Sequence, residues 1–388
     1  MQYEASPNRY EVEQLIGQGA SALVFKGTYE NNNLKHPVAI KTINLDKASQ
    51  NIEQLQQETK LLAMCNHPNI CPLYQSMVHQ QYLWLIMPEL QVSILDLLKT
   101  LQPIGFDELI IATIMYDVLQ AINYLHQNGQ IHRDIKLSNF LMDSQGNTLL
   151  SDFGVASFIR PFSNDIRSTF VGSPLYMAPE VANNKPYNQA ADIWSFGICL
   201  YQLSHGNLPH ENCQAMEALL RVIQHEPPKI SSKRNFSKQF KELIDACLQK
   251  NPSERLNASQ LLTMKFWTKR ADRQQLIDTL KEYQVMRQPK PNAFQEQVDT
   301  ANNILQSKQS IGLSSSNWNF DEEDPVVEKK PEEPTLPQII EENDTDIVLS
   351  GVQKLVEEVK KLREENTKLK EENERFKDRL KMFMNQEE

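Results

Sequence analysis

The stretch His132-Arg133-Asp134-Ile135-Lys136-Leu137-Ser138-Asn139 places a carboxylate, an ammonium and an amide close together in the chain. These types at this spacing suit phosphoryl transfer, which asks for positioning and charge neutralisation more than for covalent chemistry. Asp134 would accept the proton of an acceptor hydroxyl, Lys136 would reach the transferred phosphate, and Asn139 would hold Mg²⁺. Asp152-Phe153-Gly154 follows and offers a second metal-holding group, the Asp152 carboxylate, and Ala178-Pro179-Glu180 comes after it. Each tripeptide alone is common by chance; all of them in this order and at these separations are not.

Upstream, Gly17-Gln18-Gly19-Ala20-Ser21-Ala22 lies between two strand-like runs. Glycines there would let backbone N–H groups approach phosphates, although a glycine pair by itself is more often an ordinary hairpin. A dinucleotide fold would need a helix after the glycines, whereas Leu23-Val24-Phe25-Lys26-Gly27 is strand-like. Val38-Ala39-Ile40-Lys41 comes next. Its lysine suits the α- and β-phosphates and a glutamate on the following helix, for which Glu58 is the candidate. A lone Lys or Glu is usually a solvated surface group, so these two gain their weight from the motifs downstream.

The elements that must position these groups change character along the chain. Val12–Ile16, Leu23–Thr28, Val38–Ile43, Leu73–Val78 and Tyr82–Met87 read as strands, with Ile52–Met64 at helical spacing between them. Phe106–Gln127, Ala190–Ser204, Gln214–Gln224 and Phe236–Gln249 then read as helices. A β-rich part followed by an α-rich part predicts an α+β chain with two lobes over residues 10–267. Residues 268–290 form a polar helical extension. Residues 291–346, with Ser314-Ser315-Ser316, the acidic block Asp321–Asp324 and a cluster of prolines, have too little apolar surface to offset ordering and are expected to be a disordered acidic linker.

In 347–388 a heptad seam runs through Val352, Leu355, Val359, Leu362, Asn366, Leu369, Asn373, Phe376, Leu380 and Phe383. Glu358, Glu365 and Glu372 at g would meet Arg363, Lys370 and Lys377 at e of a parallel partner, and the two asparagines at a favour a registered pair. The expectation is a parallel dimeric coiled coil over 352–383, with a single amphipathic helix as the alternative. A basic-zipper DNA binder does not fit, because Glu341-Glu342-Asn343-Asp344-Thr345-Asp346 before the seam is acidic.

The 388 residues carry a net charge of −10, and its distribution is uneven. Residues 1–290 hold 27 basic and 27 acidic side chains, and residues 291–388 hold 13 and 23. With no basic stripe, general binding to nucleic acid or anionic membranes is not expected. The five cysteines are scattered and form no CxxC, which reads as reduced thiols in place of a disulfide framework or zinc site. No run approaches a membrane span, and Met1-Gln2-Tyr3-Glu4 lacks the basic and apolar regions of a leader, so a cytoplasmic location is expected.

Residues 10–267 resemble the eukaryotic protein kinases, and within them the sterile-twenty-like group, closest to its Fray/oxidative-stress-responsive branch. Beyond the motifs above, the resemblance is carried by Tyr82-Leu83-Trp84-Leu85-Ile86-Met87, Ile111-Ala112-Thr113, Tyr124-Leu125-His126-Gln127-Asn128-Gly129-Gln130-Ile131-His132, Thr169-Phe170-Val171-Gly172-Ser173, Asp192-Ile193-Trp194-Ser195-Phe196-Gly197 and Leu248-Gln249-Lys250-Asn251-Pro252-Ser253-Glu254-Arg255. It implies the bilobal kinase fold, ATP and Mg²⁺ as cofactors, and protein serine or threonine as acceptor, the last from Lys136 and Ser173. It further implies catalytic roles for Asp134, Lys136, Lys41 and Glu58, metal ligation by Asn139 and Asp152, and an activation-loop phosphosite at Thr169. The nucleotide would meet Ile16, Gly17, Gly19, Val24, Ala39, Lys41, Met87 as gatekeeper, Glu89 and Leu90 in the hinge, and Leu141. Asp192 would brace the catalytic-loop backbone and Arg255 would pair with Glu180.

The chain departs from the branch in several places. Leu90-Gln91-Val92-Ser93 stands where Gly-Gly-Ser is usual, Pro88 in the hinge lacks an N–H, Ser138 replaces glycine, and Ser173 replaces threonine. The branch's C-terminal peptide-binding domain is not recognisable. Trp318 and Phe320 are similar to the Trp-x-Phe segment by which some relatives hold an armadillo-like scaffold. Two rival readings are a scaffold-binding pseudokinase and a structural protein driven by its coiled coil. Lys41, Asp134, Asn139 and Asp152, at least one of which a pseudokinase usually lacks, are all present.

Overall fold

A computed structural model describes residues 3–18, 22–46, 52–152, 174–183, 185–230 and 235–287. The expected linker over 291–346, the coiled coil over 352–383, Trp318 and Phe320, and the phosphosite Thr169 lie outside the described residues.

The N-terminal part is one antiparallel sheet flanked by a helix. Strands β1 (Tyr10–Gln18), β2 (Ala22–Asn31), β3 (Leu34–Asn44), β4 (Gln75–His79) and β5 (Tyr82–Pro88) lie in the order β1-β2-β3-β5-β4. Helix α1 (Ile52–Met64) connects β3 to β4. The β2–β3 hairpin is closed by Asn32 and Asn33, both at positive φ (51° and 62°), and Asn31 pairs with Leu34. A two-residue hairpin turn requires that left-handed backbone, and asparagine tolerates it well. Strand β3 is buried on both faces. Val38 and Ile40 join Tyr10, Phe25, Tyr29, Trp84 and Ile86 on one side, while Ile43, Leu83 and Leu85 pack with Leu55 of α1 on the other. Pro88 ends β5 opposite Val38, where a missing N–H interrupts the ladder least.

The C-terminal part is helical around a small second sheet of β6 (Val92–Ser93), β7 (Phe140–Met142) and β8 (Thr148–Leu150). Its helices are α2 (Ile94–Leu101), α3 (Glu108–Gln127), α4 (Pro179–Ala182), α5 (Ala190–His205), α6 (Ala215–Gln224), α7 (Lys238–Cys247), α8 (Ala258–Leu262) and α9 (Arg273–Met286). Helix α3 is long and apolar enough to cross a membrane by composition, but Ile111, Ile114, Met115, Val118, Leu119 and Ile122 are all buried in the helical core. The chain thus has an antiparallel N-terminal sheet and a helical C-terminal region, the α+β arrangement expected from the sequence. The five cysteines are free thiols, three of them buried.

Some elements differ from the expectation. Helix α2 was not anticipated, although Ser93 caps it by accepting from the Asp96 N–H and Ile94, Leu97 and Leu98 are buried at helical spacing. Helix α3 starts at Glu108 instead of Phe106, because the Phe106 N–H is drawn to the Leu203 carbonyl at 2.7 Å. Strand β4 starts at Gln75, two residues after the expected Leu73. The polar extension after residue 267 is docked: Leu276, Leu280 and Tyr283 of α9 belong to the same core as α3.

Candidate active site

The loop between α3 and β7 carries the first cluster. A 3-10 turn at Leu137–Asn139 leads straight into β7 and turns Asn139 back toward Asp134. The Lys136 ammonium lies 2.7 Å from Asp134 Oδ2. Asn139 Nδ2 donates to the Asp134 carbonyl at 2.8 Å and to Asp134 Oδ2 at 3.1 Å. The three groups are thus locked to one another, with Asp134 still partly open to solvent.

The backbone here is strained and held. Arg133 sits at φ 69°, a left-handed conformation that costs an L-residue roughly 1–2 kcal/mol. Asp192, on the first turn of α5 and almost wholly buried, compensates: its carboxylate accepts from the His132 N–H at 2.8 Å and the Arg133 N–H at 2.9 Å. His126 Nε2 lies 3.0 Å from the same carboxylate.

His132 links this loop to the segment after β8. The Asp134 N–H donates to His132 Nδ1 at 3.3 Å, so Nδ1 is unprotonated. Nε2 therefore carries the hydrogen and donates to the Ser151 carbonyl at 3.1 Å. Burial pushes the imidazole below its ordinary range, against the pull of Asp192 and Asp134. Ser151 closes the link, its N–H and its hydroxyl both donating to the Asn139 carbonyl at 2.9 and 3.0 Å.

Asp152 follows Ser151 with φ 60°. Its Oδ1 accepts from Lys41 Nζ of β3 at 2.5 Å, so the ion pair joins the two sheets. Burial alone would raise the Asp152 carboxyl, but Lys41, with Lys136 and His132, outweighs it and holds the group below the usual carboxylate value. The expected partner of Lys41 was Glu58; that residue lies on α1, and its side chain is outside the described atoms. The donor set fits Mg²⁺. Asp152 Oδ2 and the amide oxygen of Asn139 have no partner among the described residues, and both are hard oxygen donors of the kind Mg²⁺ takes.

Beside these charges lie several apolar side chains, partly exposed except for the buried Ala39. Val24 faces Lys41 across the β2–β3 ladder, and Ala39 faces Met87 across β3–β5. Ile16 stands out at the irregularity between Leu15 and Gly17, half exposed, and Leu90 and Leu141 are partly exposed. Gly17 is opposite Val24, where an added Cβ would make only ordinary contact at 3.4 Å. Packing within the sheet therefore does not demand a glycine there. Glu89 is engaged by Lys26 of β2 at 2.9 Å, which raises the lysine's pKa. Gly19 and Thr169 are outside the described residues.

Two groups escaped the sequence reading. His132 was read as part of a motif, yet it ties the loop to Ser151. Asp117 of α3, buried, accepts from the Thr148 N–H at 3.0 Å and from Arg273. These ties had no local signal, because Ser151 lies 19 residues from His132 and Arg273 156 residues from Asp117.

Comparison with known proteins agrees with this geometry. Residues 10–267 match the model of the protein kinase domain. The chain is 38% identical over 301 residues to Germinal center kinase 3 of Caenorhabditis elegans, covering 72% of this chain and 50% of that protein. It is 39% identical over 272 residues to serine/threonine-protein kinase fray2 of Dictyostelium discoideum, covering 68% and 26%. It is 39% identical over 261 residues to serine/threonine-protein kinase ppk11 of Schizosaccharomyces pombe, covering 67% and 81%. The chain thus spans a half and about a quarter of the length of the first two.

Proposed function

The chain belongs to the protein kinase family, and we propose that it transfers the γ-phosphoryl group of ATP to serine or threonine hydroxyls of other proteins. The observation that carries this is that Lys41 pairs with Asp152, Asp134 binds Lys136 and Asn139, and Ser151 beside Asp152 bonds back to Asn139, which links the two sets from distant parts of the sequence. Names of relatives support the acceptor class.

Each residue has a task set by its chemistry. Mg²⁺, when bound with ATP, neutralises the phosphate charge that develops in transfer. Asn139 and Asp152 would hold it through their oxygens. Lys41, almost fully buried, would present its ammonium to the α- and β-phosphates. Asp134 would orient the acceptor hydroxyl and take its proton, and Lys136 would balance charge on the moving phosphoryl group. Ile16, Val24, Ala39, Met87, Leu90 and Leu141 would cover the adenine. Pro88 costs only an N–H, and its carbonyl remains an acceptor.

Finer features of the reading rest on the sequence and the resemblance. The branch would be that of the Fray kinases, whose name the relative fray2 carries. Phosphate on Thr169 would pair with Arg133 and order the neighbouring segment. The seam over 352–383 would join two copies and raise the local concentration of one catalytic domain at the other. Trp318 and Phe320 would anchor an armadillo-like scaffold, and the protein would work in the cytoplasm.

Incubation with γ-labelled ATP, Mg²⁺ and a generic basic protein, followed by acid hydrolysis, tests the acceptor class. Label is expected on phosphoserine and phosphothreonine. Label confined to phosphotyrosine contradicts the proposal.

A further inference from the structure

Helix α9 lies beyond residues 10–267, the part that matches the kinase domain. It is nevertheless tied to the strands that carry the site. At its start, Arg273 grips Asp117 with both arms of its guanidinium, Nη1 to Oδ2 at 2.7 Å and Nη2 to Oδ1 at 2.6 Å. Nη1 also donates to the Gly146 carbonyl at 2.9 Å. Asp117 in turn accepts from the Thr148 N–H. Gly146 and Thr148 form the far end of the β7–β8 hairpin, and Asn69 Nδ2 donates to the Thr148 carbonyl at 3.1 Å.

The near end of that hairpin carries the two metal-holding residues. Asn139 immediately precedes β7, Asp152 lies two residues beyond β8, and Ser151 between β8 and Asp152 bonds to the Asn139 carbonyl. The contact at the far end is close. Gly146 has φ +74°, and a Cβ there would come within 3.2 Å of the Arg273 carbonyl and of Leu276 Cβ. At the other end of α9, Gln284 Nε2 donates to Gln91 Oε1 at 3.1 Å, and the Gln91 N–H donates to the carbonyl of Met142, the last residue of β7. One helix therefore holds both the turn of the hairpin and the strand beside it.

We propose that Arg273 is a positioning residue for Mg²⁺ binding. Through Asp117 and the β7–β8 turn it fixes the hairpin that sets the separation of Asn139 and Asp152. Its guanidinium fork is the working feature, because only a planar fork engages two carboxylate oxygens and a carbonyl together. The inference rests on the kinase reading of the site.

The test is binding of a fluorescent ADP analogue to the full chain, with Mg²⁺ titrated from zero. Arg273→Ala and Arg273→Lys should each raise the Mg²⁺ concentration for half-saturation by about fivefold or more, the lower end of site-to-site coupling in proteins. Affinity for the analogue in EDTA should stay the same. A merely structural role would lower the melting temperature and leave the Mg²⁺ titrations superposed on wild type, and that result overturns the proposal. If Arg273→Ala does not fold, Arg273→Lys, which keeps the charge, decides by the same criterion. A wild-type chain that bound the analogue with no dependence on Mg²⁺ would overturn the kinase reading and this inference together. A normal wild type beside unshifted variants overturns this inference alone.

Discussion

Lys41 Nζ lies 2.5 Å from Asp152 Oδ1, joining the central strand of the N-terminal sheet to the segment that follows β8. The lysine is almost fully buried and the aspartate is more than a third exposed. The cation is thus fixed from within the sheet, while the carboxylate keeps an open side. Lys41→Ala should cut the kcat/KM of phosphate transfer by about a hundredfold or more, the usual loss when a preorganised charge is removed. The melting temperature should fall only modestly: burial of Asp152 is then no longer opposed by Lys41, but the exposed side of the carboxylate remains hydrated. Steady-state kinetics beside a thermal melt checks both halves; a large stability loss with intact kcat/KM contradicts it.

Arg255 and Glu180 behave differently. Their two hydrogen bonds, 2.6 and 2.7 Å, are sealed from solvent, and the guanidinium also donates to the Ala190 and Gln249 carbonyls and stacks 5.1 Å from Trp194. Removing one partner strands the other as a buried charge. Glu180→Ala should therefore cost about 3–5 kcal/mol of stability. Urea unfolding of the two proteins side by side measures it, and a loss below about 1 kcal/mol would show that water reaches the pair.

His132 gives a pH dependence. Burial holds its folded pKa below the unfolded value near 6.5. Below about pH 6.5 the unfolded chain takes up a proton that the folded chain refuses, so stability is fully present above that pH and declines as pH falls. Protonating Nδ1 would also break the bond from the Asp134 N–H. His67, His79 and His210 are lowered as well and add to the slope. In His132→Asn the decline between pH 6.5 and 5 should be shallower than in wild type. Equal slopes would mean that His132 titrates normally in the folded chain.

Much of this was legible in the sequence because the decisive motifs are local. His132 to Asn139 fit into a single turn and loop, and their spacing, with Asp152-Phe153-Gly154 and Ala178-Pro179-Glu180 following in order, carried the chemistry. Strands β2 and β3 were legible too, though their full length and the two-residue turn at Asn32 and Asn33 were not. Longer links were not. Asp192, which supports Arg133 from 59 residues away, was legible only through the family resemblance, and the reach of Arg273 to Asp117 across 156 residues was not legible at all. Nothing near Arg273 or Asp117 announces the other. Helix α9 looked merely polar because Leu276, Leu280 and Tyr283 form only a narrow buried face, which a count of polar residues hides.

The proposed tail has its own test. If the 352–383 seam brings two copies together, removing residues 352–388 should slow Thr169 phosphorylation in trans at nanomolar protein, where encounter is limiting. Mass spectrometry of the Thr169 peptide over time reads the rate. The same rate in both chains would separate the seam from activation.

The most direct measurement is phosphate transfer by purified wild type and by Asp152→Ala, each with labelled ATP, Mg²⁺ and a basic acceptor protein. The account predicts label on the acceptor with wild type and none above background with Asp152→Ala, while both chains melt cooperatively. Transfer that survives in Asp152→Ala, or none from a folded wild-type chain, would contradict it.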